Sequence, residues 1–209
     1  MNLSKEIASM YDDAVRIRQD LHRIPEIGFQ LHDTQAYVLN ELRRCAPDRL
    51  ETLAVCGVKA VFFAKDAQKT NALRADMDGI HNDEANDVPY RSQRPGCMHG
   101  CGHDGHMTIL LLLARWIARN RARLHCNVVL LFQPGEEGWA GARRMIDDGA
   151  LENPRVDCIC GRPCRRAGSA SAGTISWRRR AILRSPSTAR ARTRPRRRWA
   201  LTPSSSRRS

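Results

Sequence analysis

Apolar positions in the first 160 residues switch between helical and extended spacing. Leu3, Ile7, Met10, Tyr11, Ala14, Val15, Ile17 and Leu21 fall on one helical face, which predicts a single amphipathic helix stopped near Pro25. A second helix is predicted through Leu42, with Asp33 or Thr34 able to cap its start. Shorter β-rich runs at 51–55, 59–64 and 72–75 predict strands, and residues 79–100, rich in Asn, Asp, Pro and Gly, predict a long loop. Residues 105–119 read as a helix that is apolar nearly all round at 109–113 and therefore buried. A strand at 128–132 ends on Gln133-Pro134-Gly135, a helix at 139–148 stops at Gly149, and 156–160 can supply one more strand.

This alternation predicts an α/β fold with a mixed or mostly parallel sheet flanked by helices. Ligands in such sheets gather at the carboxyl ends of the strands. Two acidic pairs, Asp76 with Asp78 and Glu136 with Glu137, fall just after predicted strands, so a shared site is expected there.

Composition changes the picture at one place. The chain has 35 basic and 22 acidic residues, a net charge of +13. Residues 162–209 hold 15 Arg and no Lys, Asp or Glu, which leaves 20 basic against 22 acidic residues in 1–161. Two parts follow: a catalytic-type domain over 1–161 and an Arg-rich tail over 162–209. Low apolar content predicts disorder in the tail. Its Arg, Ala, Pro, Gly and Ser usage also fits a GC-rich gene read out of frame, while its charge offers the alternative of a basic-tailed nucleic-acid-binding protein. The N-terminus lacks an apolar secretory core and the longest apolar run, 109–114, is too short to span a bilayer. A cytoplasmic setting is therefore expected, where the 8 cysteines stay reduced and Cys/His clusters mean metal or catalysis more often than disulfides.

One such cluster is His99-Gly100-Cys101-Gly102-His103-Asp104-Gly105-His106. Thiolate and imidazole are strong ligands for zinc-like ions. Cys101 and His103, two apart, can point the same way from an extended loop, and Asp104 can orient an imidazole. After the strand at 128–132, Glu136 and Glu137 repel unless an ion relieves them; one can bind it while the other takes a proton from water. Asp76 and Asp78 alone are a weak signal. The stretch Leu21-His22-Arg23-Ile24-Pro25-Glu26-Ile27-Gly28-Phe29 reads as a helix stop and packing turn, and His32, His81 and His125 as solvent-exposed. Cys45, Cys56, Cys126, Cys158 and Cys160 read as buried or half-buried thiols, and Trp116 and Trp139 as core.

Taken in order, LHRIPEIGF with Thr34, ALRADMDGI, GCMHGCGHDGHM, VVLLFQPGEEGWAGARRMIDDGAL and VDCICG resemble the hippurate hydrolase or N-acyl-amino-acid amidohydrolase family of the zinc-peptidase superfamily, across residues 10–161. The resemblance implies the N-terminal part of a zinc-exopeptidase-like catalytic domain. It also implies a site for two divalent ions (zinc, manganese or cobalt) and hydrolysis of the amide bond of small N-acyl amino acids. It makes Cys101, His103 and Glu137 metal ligands and Glu136 the general base. Asp76 becomes the strand-end acid that supports a metal-binding His, with Arg74 standing where wider relatives carry that His. The family continues VDCICG with a Leu-His or Met-His pair, where this chain has Arg162-Pro163, and then with a lid domain that makes homodimers and a further His ligand. Neither is recognisable in 162–209, so a truncated chain of weak or no activity is expected.

Overall fold

The computed structural model describes residues 3–161; the Arg-rich segment, with Arg162 and Pro163, lies outside the described residues. The first helical stretch is two helices, α1 (Leu3–Ala8) and α2 (Tyr11–Arg23), and not one. At the break Ser9 Oγ donates to the Glu6 carbonyl at 2.7 Å, the local side-chain bond by which serine competes with helix continuation. Helix α3 (His32–Arg43) is capped by neither Asp33 nor Thr34. The Glu26 carboxylate instead accepts the backbone N–H of Thr34 at 2.8 Å and of Asp33 at 3.3 Å, while Thr34 Oγ1 donates to the Ile24 carbonyl.

The strands β1 (Arg49–Leu53), β2 (Gly57–Phe62) and β3 (Thr70–Asp76) follow. The loop at 79–100 carries two short strands that were not foreseen, β4 (Ile80–His81) and β5 (Cys97–Met98), paired antiparallel. Then come α4 (His103–Arg119), a 3-10 turn at Arg121–Arg123, β6 (Asn127–Gln133), α5 (Gly141–Asp147) and β7 (Cys158–Gly161). The main sheet has the order β1-β2-β6-β3-β7. It is mixed, as expected: β1 and β2, and β2 and β6, run antiparallel, while β3 pairs parallel with β6 and β7.

Central strands covered on both faces read as continuous apolar runs, and β2 is buried at every position. On one face α2, α3 and α4 pack Ile17, Leu21, Leu42, Met107 and Leu111 against Phe62, Leu130 and Phe132. The other face sets Val61, Ala72, Val129 and Leu131 against Met145 and Ala150. Each such large side chain contributes about 1.5–3 kcal/mol on leaving water. Lys59, buried in β2, turns its ammonium onto the carbonyls of Glu152 (2.5 Å) and Gly149 (3.4 Å) that follow α5. Among the described residues no helix is long and apolar enough to cross a membrane. Two side-chain expectations are corrected: Trp139 is half exposed, while Trp116 packs against the larger core, and Cys158 and Cys160 are exposed because β7 is the outermost strand on its side of the sheet.

The register matters most for function. Asp76 is level with Gln133 on the neighbouring parallel strand, so β3 and β6 end together and release both acidic pairs at one sheet edge.

Candidate metal centre

Three chain segments meet at that edge. The first is 76–78, as β3 leaves the sheet. The second is the 99–106 loop, which Gly102, in the left-handed conformation (φ +81°), turns into the first residue of α4. The third is the turn 133–138 after β6. Gly141, at the start of α5, lets this turn close, since a Cβ there would sit 1.7 Å from the Pro134 carbonyl oxygen.

His103 is the hub. Its Nδ1 lies 2.7 Å from the Asp78 carbonyl oxygen, which can only accept, so Nδ1 carries the proton and Nε2 presents a lone pair in the neutral ring. That Nε2 faces Asp76 Oδ2 at 3.6 Å, Glu137 Oε1 at 3.9 Å and Glu136 Oε2 at 4.0 Å. His103 is buried, whereas the side chains of Glu136 and Glu137 stay 41% and 33% exposed, so the carboxylates are open to water above an imidazole floor. The buried Asp78 carboxylate holds their turn: Oδ1 accepts the Glu136 N–H at 3.0 Å and Oδ2 the Glu137 N–H at 3.1 Å.

Each of Cys101, His103 and Glu137 offers a ligand atom within 4.8 Å of the others, and so does each of Asp76, His103 and His106. The sets share His103, whose other nitrogen is committed to Asp78, so they are not two independent centres. Asp76 bonds His106 Nδ1 at 2.6 Å and pairs with Arg74 at 2.9 Å, which also donates to Gln133 at 2.8 Å. The donor chemistry fits a divalent cation. A lone-pair nitrogen, a thiol sulfur and two carboxylates converge, and among the described residues neither Glu136 nor Glu137 pairs with a Lys or Arg.

The five residues singled out from sequence, Asp76, Cys101, His103, Glu136 and Glu137, thus come together. The supporting layer was missed. His22, in the stretch read as a packing turn, bridges Asp104 (Nδ1, 2.7 Å) and Glu84 (Nε2, 3.0 Å), all three buried. Glu84 also accepts the Ser92 N–H at 2.6 Å, so α2, α4 and the 79–100 loop are tied behind the site. The bond to Asp104 raises the His22 pKa against the pull of burial. Burial pushes Asp104 and Glu84 up, but the bond from His22 to Asp104, and the Ser92 N–H with His22 on Glu84, outweigh it and hold both low. His99, buried with both ring nitrogens unpartnered, is pushed down to about 4 by burial. No local sequence signal marks this layer, because His22 meets Asp104 across 82 positions.

Comparison with known proteins places this arrangement. The family described as peptidase family M20/M25/M40 matches residues 72–184. The chain is 38% identical over 161 residues to a hippurate hydrolase of Campylobacter jejuni, covering 77% of this chain and 42% of that protein. It is 39% identical over 146 residues to an N-acetyldiaminopimelate deacetylase of Geobacillus thermodenitrificans, covering 69% and 38%. A crystal structure from Bacillus subtilis, described as a dinuclear metal-binding peptidase of the M20 family, superposes with a TM-score of 0.69 at 31% identity, covering 74% of this chain and 43% of that one. The chain therefore spans about two fifths of the length of these relatives. A match over more than half its residues, through the strands and loops that build the site, makes this chain a member of peptidase family M20/M25/M40.

Proposed function

We propose that the site hydrolyses the amide bond of small N-acyl amino acids of the hippurate kind, using divalent metal. The observation that carries this reading is the His103 Nε2 lone pair facing Glu136 and Glu137 at 4.0 and 3.9 Å, with the Cys101 thiol in the same ligand group. The relatives' names, a hippurate hydrolase and an N-acetyl deacetylase, support the substrate class.

Cys101, His103 and Glu137 would hold the ion. When bound, a divalent cation lowers the pKa of water and polarises a carbonyl oxygen. Glu136 serves as the general base: its exposed carboxylate takes a proton from the attacking water and later delivers it to the leaving amine nitrogen, so the amide yields one acid and one amine. Glu137 cannot share that task while committed as a ligand. Asp78 keeps the two carboxylates at fixed height by holding both their N–H groups, and its carbonyl fixes the His103 tautomer. Asp76 acts beside them, steadying His106 through Oδ1 and pairing with Arg74 through Oδ2, the oxygen that faces His103. We place the protein in a reducing, cytoplasmic setting, a reading supported by the seven free cysteines among the described residues.

The test is release of glycine from hippurate, and of amino acid from a panel of N-acyl amino acids, with Zn, Mn or Co added. The expected result is slow, metal-dependent release that falls at least about a hundredfold in Glu136→Gln, the size of a lost general base. Absence of metal-dependent release across the panel, or equal rates in Glu136→Gln, would overturn it.

A further inference from the structure

One buried histidine behind the site reaches both ends of the segment that carries two of its donors. Cys101 and His103 lie between Cys97 on β5 and Asp104 in the first turn of α4. His22, in the last turn of α2, donates from Nδ1 to Asp104 Oδ2 at 2.7 Å, at the end that follows His103. Its Nε2 donates to Glu84 Oε1 at 3.0 Å. Glu84 Oε2 accepts the Ser92 N–H at 2.6 Å, and Ser92 Oγ donates to the Cys97 carbonyl at 2.7 Å, at the end that precedes Cys101. Carboxylates only accept, so a ring bonded through both nitrogens to two of them is an imidazolium. Arg18 sets a second cation on the same Asp104 oxygen at 3.2 Å, and Tyr90 and His99 complete the ring's surroundings at centroid distances of 5.6 and 6.3 Å.

We propose that His22 is a positioning residue for the metal-dependent reaction, holding both ends of the 97–104 segment so that Cys101 and His103 meet Glu137 across the site. The inference rests on the reading of Cys101, His103 and Glu137 as metal ligands. Burying charges costs desolvation that their attraction does little more than offset, so three apolar side chains would serve packing as well. What the charged trio adds is direction, because each bond has one partner and one geometry. Gly100 and Gly102, the latter in the left-handed region, give the intervening backbone a wide choice of paths, so the held ends decide where the two donors stand. His22 takes no part in making or breaking bonds; its effect reaches the ion only through Asp104 on one side and Cys97 on the other. Groups bonded straight to a ligand are worth about 10–100-fold in metal affinity, and His22 acts one bond further out, so about fivefold is expected.

Each variant is made in the full chain carrying Cys158→Ser and Cys160→Ser, which removes the exposed thiols of β7. It is titrated with Co2+ under reducing conditions, the thiolate-to-cobalt band giving the apparent affinity and circular dichroism the fold. In His22→Gln the amide can donate to one carboxylate and not to both, and affinity is expected to fall at least about fivefold. Ser92→Ala cuts only the tie to Cys97 and is expected to cost at least about threefold with the urea midpoint little changed. Val61→Ala removes core volume on the opposite sheet face, and a merely structural effect of that kind lowers the urea midpoint while leaving the cobalt affinity of the folded chain within about twofold. A smaller loss in His22→Gln or Ser92→Ala, or a loss in Val61→Ala as large as that in His22→Gln, overturns the proposal and leaves the metal centre standing. Should His22→Gln not fold, Ser92→Ala alone decides. Absence of a saturable band in the parent overturns the ligand reading itself and this inference with it, so the two failures are told apart.

Discussion

Asp78→Asn isolates the device that holds the two glutamates. Asp78 is 1% exposed, and each of its carboxylate oxygens accepts one backbone N–H, from Glu136 at 3.0 Å and Glu137 at 3.1 Å. Asparagine keeps the shape but turns one oxygen into an NH2 group that faces an N–H. One charge-assisted hydrogen bond is lost, worth about 1.5–3 kcal/mol, and a part-buried donor goes unpaired at about 1–3 kcal/mol. Removing one negative charge from a cluster that includes Asp76, Glu136 and Glu137 offsets part of this, more so without metal. The net expectation is a destabilisation of about 2 kcal/mol. With a urea dependence near 2 kcal/mol per molar, the unfolding midpoint falls by about 1 M. Chelator-treated protein is unfolded in urea and followed by circular dichroism, with the exposed Asp87→Asn as control. Amide exchange at Glu136 and Glu137 is read alongside and is expected to accelerate. A midpoint within about 0.2 M of the parent, with exchange unchanged at both amides, would refute the claim that Asp78 holds the turn.

Further expectations concern neighbouring groups. Gly141→Ala places a Cβ 1.7 Å from the Pro134 carbonyl, so the turn must open, with a loss of at least about 2 kcal/mol in unfolding free energy and weaker metal affinity. His99 titrates near 4 because burial disfavours its charged form, whereas the unfolded ring takes up a proton near 6.5. Stability is therefore lost as pH falls from 6.5 towards 4, by up to about 3 kcal/mol, and His99→Leu should flatten that slope in urea midpoints taken at intervals of pH. His22 shifts the opposite way: its raised folded pKa gives a contribution that is complete below 6.5 and lost as pH rises through the folded value, outside that window. Asp104 and Glu84, both held low, lose theirs only below about 4, also outside it. Glu137→Gln should weaken divalent-ion affinity at least tenfold with the urea midpoint little changed, read by calorimetric titration.

Much of this site was legible in the sequence because its parts follow short-range rules. Asp76 follows a short β-rich run and Glu136 follows an apolar one. Once β3 and β6 are parallel neighbours, their acids must emerge at the same edge. Cys101 and His103 were marked by chemistry and spacing alone. What stayed hidden depends on distant contacts. The acid that caps α3 comes from Glu26, upstream of the helix and outside the window where caps are sought. His22 resembles a helix-end residue until the fold sets Asp104 and Glu84 around it. The break at Ser9 interrupts an unbroken amphipathic pattern because one hydroxyl bonds the preceding turn. Cys158 and Cys160 look like core thiols in an apolar run, and only the sheet order, with β7 outermost, exposes them.

The central claim, that Cys101, His103 and Glu137 form one metal centre, is tested most directly by cobalt absorption. The chain carrying Cys158→Ser and Cys160→Ser, so that those thiols cannot compete, is titrated with Co2+ under reducing conditions. A near-ultraviolet thiolate-to-cobalt band is predicted to saturate, to vanish in Cys101→Ser, to weaken at least tenfold in apparent affinity in His103→Ala, and to survive in Glu136→Gln. A band that persists undiminished in Cys101→Ser, or no saturable binding in the parent, would contradict the account.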